Sequence, residues 1–405
     1  MSLHHRRKAR GFMILNISIL LLALVIMGGM FVPTLRARPR WRAMVTPLAS
    51  IIGSGFLVLG PILEVRFGAW APMAMAALCL VGWLFGAAVR NNIAAEERPD
   101  TALISRIEQL AQITLSFAYV ISVAYYLNLF GAFAVSLTPW HSHLMANVVT
   151  TIALGVVAVA GFGGGFHALE RMEYATVALK LAIIGGLLLG LAVYFGKTAA
   201  QGDLTFDPGQ LGPWDSLRLI FGLIVTVQGF ETARYLGKSY DAPTRIDAMR
   251  WAQMLSTAIY MVYIVLLAYL FVPDAHNLTE TSIIEMMRVV APILPAMLVA
   301  AALAAQFSAA VADTGGAGGL LSEFSRGRLE PKHAYPVLIA AGIALTWSAN
   351  VFVIISYASR AFAGYYTLQA VLAALQSKGL KSKAFWVLAL LGVAMTVLGV
   401  PAEGS

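Results

Sequence analysis

The chain has 405 residues, of which 59% are hydrophobic and only 12% charged, with a mean hydropathy of +0.78 and a formal net charge of +8. That composition lies far outside the range of a soluble globular domain and marks an integral membrane protein. The positive balance follows the loops, which points to membrane topology and not to nucleic acid, and the single cysteine, Cys79, excludes an intramolecular disulfide.

A hydrocarbon core of about 30 Å needs about 20 residues of helix. Twelve apolar blocks of suitable length follow one another near residues 12–32, 44–63, 70–89, 108–137, 144–161, 171–195, 215–237, 250–272, 286–322, 334–350, 351–376 and 384–400. The first is termed helix zero and the others helices one to eleven. Their apolar residues are continuous and do not alternate, which excludes a β-barrel, and no loop is long enough for a second folded domain. The expected fold is an all-α integral membrane protein, a polytopic bundle of about twelve transmembrane helices.

Helix zero lies between Arg6, Arg7, Lys8 and Arg10 on one side and Arg36, Arg38, Arg40 and Arg42 on the other, so charge does not orient it. It lacks a convincing small-residue cleavage site and reads as an anchor, not a signal peptide. If helix one enters from the cytoplasm, inside loops hold eighteen Lys and Arg against three outside, Arg66, Lys197 and Arg288. The expected location is a cell membrane, crossed many times, and the inner membrane if the source is bacterial.

Helix one carries the stretch PLASIIGSGFLVLGP at 47–61, interrupted by Gly53-Ser54-Gly55. Helix six carries TVQGFETARYLG at 226–237, with Gly229 between an amide and an acid. Unpaired backbone at membrane depth is tolerated only where it is buried in protein or lines a cavity. Two interrupted helices in corresponding halves are a sequence pointer to a transporter's binding site. They open successive sets of five helices, and an odd number per set inverts one half against the other. The expected divisions are 1–43 (basic tail and extra helix), 44–195 (first repeat), 196–376 (outside loop and second repeat) and 377–405 (final helix and terminus).

A broken helix offers free N–H groups and the positive dipole end on one half and freed carbonyls on the other, suiting an anion and a cation respectively. The candidate substrate-binding residues are Ile52, Gly53, Ser54, Gly55 and Phe56 in helix one, and Thr226, Val227, Gln228, Gly229 and Phe230 in helix six. A zwitterion with adjacent carboxylate and ammonium groups fits this pair. Few ionisable residues sit within the apolar blocks, the clearest being Lys180, Glu231, Asp313 and Arg360. A charge in hydrocarbon costs about 2.5–3.5 kcal/mol even on the lenient insertion scale, so each calls for a partner or a wet cavity.

The runs VTPLASIIGSGFLVLGP and FGAWAPMAMAALCLVGWL resemble the first two helices of the amino acid, polyamine and organocation (APC) transporter superfamily. EYATVALKLAIIGGLLLGL is similar to that family's fifth helix, lysine included, and TVQGFETARYLGKSYDAPTRIDAMRWA to its sixth helix and following loop. The resemblance covers about residues 44–400 and implies the five-plus-five inverted repeat of the leucine-transporter fold. It implies that the Lys180 ammonium group points toward the broken first helix and helix eight, replacing the sodium of sodium-coupled relatives. The extra helix zero, the single helix after the repeats, Gln228 and Arg360 depart from the family pattern.

Two readings of this region stand side by side: proton linkage with Lys180 paired to Asp313, or sodium held by Asp313, Ser308 and helix-one carbonyls. Protons are favoured, because a neighbouring lysine disfavours a bound cation. A static Lys180–Asp313 ion pair is the plainer alternative. Glu231 is expected to meet helices three and ten, where Tyr119, Tyr125, Tyr126, Asn128, Tyr357 and Arg360 lie, and a Glu231–Arg360 pair would gate the site, with Arg234 as a competing partner.

The sequence holds no P-loop, no HExxH and no cysteine–histidine cluster, so no enzyme activity, cofactor or metal site is expected. The reading is a secondary transporter of an amino acid or related small amine, working by alternating access and linked to protons. The alternatives are a sodium-coupled transporter of another metabolite, or a non-transporting sensor or subunit that keeps the fold. The partners are a small-molecule substrate and the lipid bilayer, and nothing in the sequence sets an oligomeric state.

Overall fold

The computed structural model describes residues 3–96, 101–162, 173–209, 211–237, 239–271, 278–324, 328, 330 and 333–402. Among them are fifteen α-helices and three 3-10 segments, and no strand. The α-helices are α1 (Leu3–Met30), α2 (Pro33–Arg36), α3 (Pro39–Ser54), α4 (Phe56–Phe67), α5 (Ala71–Ile93), α6 (Ala102–Val135), α7 (His143–Phe162) and α8 (Glu173–Gln201). The remainder are α9 (Pro213–Gly222), α10 (Ala242–Leu267), α11 (Ser282–Val290), α12 (Leu294–Phe324), α13 (Ala334–Ser348), α14 (Val351–Leu375) and α15 (Gly379–Leu398).

Among the described residues, seven helical stretches are long and apolar enough to cross a membrane: Gly11–Met30, Phe56–Ile93, Ala102–Val135, Tyr174–Gln201, Ala242–Leu267, Leu294–Leu320 and Gly379–Leu398. His143–Val159 and Tyr335–Ser348 are shorter apolar helices. The difference from twelve blocks has a physical cause in helix six, where no continuous helix survives. Helix one likewise divides into α3 and α4, and Arg360 interrupts the apolar run of α14.

Residue chemistry sets the ends of these elements. Thr101, Asp241 and Asn350 cap α6, α10 and α14, their side chains accepting from the N–H groups of Ile104, Thr244 and Val353. Pro33 and Pro39 start α2 and α3, where a missing N–H costs no helical bond. α1 lies along α8, with Ile19 fully buried over Gly186 and Gly190 and Ile26 over Gly185. In lipid, where apolar burial drives little association, such a smooth glycine face allows the close packing that holds helices together. The core runs between α3, α5, α6, α10, α12 and α14, and both helix breaks are packed inside it.

Candidate functional site

In helix one, α3 ends at Ser54, Gly55 has φ −112° and ψ −10°, and α4 restarts with the Leu59 N–H donating to the Gly55 carbonyl at 2.8 Å. The side chain of Ser54 lies outside the described residues. Side chains from three other helices serve carbonyls around this break. Lys180 Nζ of α8 donates to the Ala49 carbonyl at 2.7 Å, Gln306 Nε2 of α12 to the Gly53 carbonyl at 3.2 Å, and the Tyr260 hydroxyl of α10 lies 3.0 Å from the Ile51 carbonyl.

Helix six is broken more completely. α9 stops at Gly222, a 3-10 turn spans Ile224–Val227, Gln228 is extended, and a second 3-10 segment spans Phe230–Leu236. Gly229 joins them at φ +114°, a conformation glycine adopts at low cost. The two breaks face each other. Tyr260 reaches the Thr226 carbonyl at 2.7 Å as well as Ile51, a Cβ on Gly55 would collide with Thr226, and a Cβ on Gly229 would collide with Ser50 and the Ile51 amide. Phe56 packs on the rings of Tyr260 and Tyr263, and Phe230 stacks on Tyr366.

Glu231 is fully buried. Its Oε2 accepts from the Gly229 N–H at 2.9 Å and the Tyr366 hydroxyl at 2.7 Å, while its Oε1 has no hydrogen-bond partner among the described residues. Gln228 donates through Nε2 to the Tyr126 hydroxyl at 2.9 Å, and its Oε1 is likewise unpartnered. Two buried acceptor oxygens thus stand at one break, where an unmet acceptor costs about 1–3 kcal/mol that a donor reaching it would relieve. The neighbouring cavities are small, about 20 Å³ beside Gly53, Lys180 and Gln306 and about 10 Å³ beside Ile51, Val227 and Tyr260. Neither admits more than about one water, so the described residues at these two places are closely packed around the breaks.

The expected charge pairs are not the ones formed. Lys180 does reach the broken first helix, but Asp313 accepts a hydrogen bond from Ser122 of α6 and makes no ion pair with Lys180. Arg360 donates to the Gly399 carbonyl from Nε at 3.0 Å and from a terminal nitrogen at 2.5 Å, so it caps the carbonyl end of α15 and does not meet Glu231. Ser308 is half-buried on α12, and Tyr119 packs edge-on against Phe362 and over Gly316. Val227 is buried beside Gly82.

Several residues in these contacts carried no clear sequence signal. Tyr366 is the hydroxyl that meets Glu231. Arg234, the competing partner named above, turns instead to Glu108 of α6 at 2.9 Å and to Gln369 of α14. Arg245 pairs with Glu96 at 2.5 Å and also donates to the Arg234 carbonyl at 2.6 Å, while Asn92 donates to Gln369 Oε1 at 2.8 Å. This network ties α5, α6, α10 and α14 together at the end of the second 3-10 segment, one turn from Glu231. Glu64, buried on α4, has an unpartnered Oε1 among the described residues and sits beside Tyr263. The apolar block at 44–63 stops one residue before it.

Replacing Glu108 with Gln removes the carboxylate opposite a mostly buried guanidinium. The expected result is a loss of about 1–3 kcal/mol in stability of the closed form, with a coupling of about 0.5–3 kcal/mol to Arg234→Gln in a double-mutant cycle. Thermal unfolding in detergent measures both, and strictly additive losses would remove the network from the closure.

A helical membrane bundle in which two interrupted helices appose their breaks is the architecture of a membrane transporter. The chain belongs to a family described as APC superfamily transporter, which matches residues 33–399. A protein of Aquifex aeolicus (strain VF5), titled "Uncharacterized protein", is 40% identical over 356 residues, 85% of this chain and 86% of its own length. The family match begins after α1.

Proposed function

We propose that the chain is a multi-pass secondary transporter that carries an amino acid or related small amine by alternating access, with protons as the coupling ion. The observation that carries this reading is the pair of unpartnered acceptors, Gln228 Oε1 and Glu231 Oε1, at the helix-six break. Opposite them is the helix-one break. An ammonium group donates to such acceptors, and a carboxylate suits the dipole end of the second half of helix one. Twelve crossings arranged as two inverted sets of five, with the breaks opening 44–195 and 196–376, supply the halves that would rock about this site. The small cavities support a cycle in which helices part to admit substrate and close again.

Uptake of labelled amino acids and amines into proteoliposomes tests the reading. An inward pH gradient should drive accumulation of at least one of them, and a sodium gradient should add nothing. A sodium requirement with indifference to pH overturns the coupling ion. Absence of both flux and exchange for every amine and amino acid overturns the transporter.

A further inference from the structure

The arginine run of LRARPRWRAM, residues 35–44, serves only as a topology signal in the reading above. In the fold it forms one wall of a groove of about 860 Å³ whose other wall is α10. Leu35, Trp41 and Met44 line one side and Trp251, Met254 and Leu255 the other, with Arg38 and Arg40 at the groove and Thr244 at its end. The volume is near the top of the range of about 300–1,000 Å³ usual for small-molecule sites.

Its chemistry is divided. Arg36, Arg38, Arg40 and Arg42 are exposed within seven residues of chain, and the only carboxylate paired with any of them among the described residues is Asp247, 3.3 Å from Arg40 and also 3.7 Å from Arg250. Arg38 has no acidic partner among the described residues. The deeper lining is apolar, and Trp251 and Met254 remain exposed beside it. The wall is held in place: the Trp41 indole N–H donates to the Tyr174 hydroxyl at 3.1 Å, that hydroxyl donates to the Met30 carbonyl, and Arg36 lies over the rings of Phe31 and Tyr174. A fixed basic rim over an apolar, tryptophan-lined trough at the end of the spans matches a phosphate joined to hydrocarbon.

We propose that this groove is a binding site for an anionic phospholipid, with the phosphate on Arg38 and Arg40 and the acyl chains along Trp41, Met44, Trp251 and Met254. Free phosphate has no use for the apolar trough, and a zwitterionic phospholipid brings its own cation to a rim whose arginines are offset only by Asp247 at Arg40. The site joins the segment after α1 to α10, the helix that supplies Tyr260 to both breaks, so an occupying lipid would bridge the two.

The test uses the full-length protein in vesicles of phosphatidylcholine with or without phosphatidylglycerol, each lipid in turn brominated on its chains. Brominated phosphatidylglycerol should quench tryptophan fluorescence more strongly per mole than brominated phosphatidylcholine, and Trp251→Phe should remove a clear part of that excess, Trp41 carrying the rest. One cation near an anionic surface is worth about a five-fold change in partition. Arg38→Gln with Arg40→Gln should therefore lower the preference for phosphatidylglycerol by at least about five-fold. Arg288→Gln, on α11 away from the groove, should leave it unchanged. Equal quenching by the two lipids overturns the proposal, as does a preference that the double variant retains. Abolition of the preference by millimolar inorganic phosphate at constant ionic strength assigns the arginines to a free anion and overturns the lipid. A double variant that no longer runs as a monodisperse peak is replaced by the single Arg38→Gln variant, read the same way.

Discussion

Lys180→Ala removes pH-driven accumulation from reconstituted vesicles while leaving ligand binding detectable. Lys180 is 3% exposed and its ammonium group bonds the Ala49 carbonyl one turn before the helix-one break. A Cβ placed on Gly53 would lie 3.6 Å from Nζ, so the charge sits against the break itself. A lysine so buried changes protonation when its solvation changes, and opening the break is such a change. Under the proposed proton linkage, losing the proton would weaken the bond to the Ala49 carbonyl and favour the open arrangement, linking proton movement to conformation. Removing the side chain removes the link but not the acceptors at Gln228 and Glu231. Lys180→Met keeps nearly the volume of the stem without the charge, and should behave like Lys180→Ala in coupling while retaining more stability. Uptake against a pH gradient reads the first property and a ligand-dependent thermal shift the second. Unchanged pH dependence in both variants would remove Lys180 from the coupling path.

The parts of this site that were legible in the sequence are those that violate a rule of the bilayer. Glycine at mid-span in 47–61 and 226–237 announced the breaks because unpaired backbone has no solvent there. Lys180 stood out for the same reason, and the family resemblance implied where it pointed. What the sequence left obscure was the partner of each charge. Arg360 looked as if it needed a carboxylate, yet a guanidinium is equally served by the carbonyl end of a helix, and the Gly399 carbonyl has no side-chain signature. Tyr366 lies 135 residues from Glu231, and nothing in the local pattern distinguishes it from Tyr365 or Tyr357. Glu64 was obscured by position: it stands just past the apolar block at 44–63, but α4 runs on to Phe67 and buries it.

Gly229→Ala and Gly55→Leu should each abolish substrate binding, by different physical routes. Gly229 holds φ +114°, so any Cβ meets backbone strain of about 1–3 kcal/mol, and the same Cβ would approach the Ile51 amide nitrogen to 2.7 Å. Gly55 has an ordinary φ of −112°, and its restriction is purely steric, because a Cβ there collides with Thr226 and comes within 2.7 Å of the Thr226 Cα. Trimming Thr226 to Gly therefore cannot restore Gly55→Leu, since the backbone contact persists. Both substitutions push the two breaks apart; Gly229→Ala also shifts the N–H that Glu231 Oε2 accepts, whereas Gly55→Leu acts through Thr226 alone among the nearest contacts. Gly155 of α7 is the control, for a Cβ there meets nothing within 4 Å, and Gly155→Ala should be neutral or stabilising by up to about 1 kcal/mol. The measurement is ligand-dependent thermal shift alongside uptake. If Gly55→Leu and Gly229→Ala bind and carry substrate as well as Gly155→Ala does, the apposed breaks are a packing device and the site lies elsewhere in the bundle.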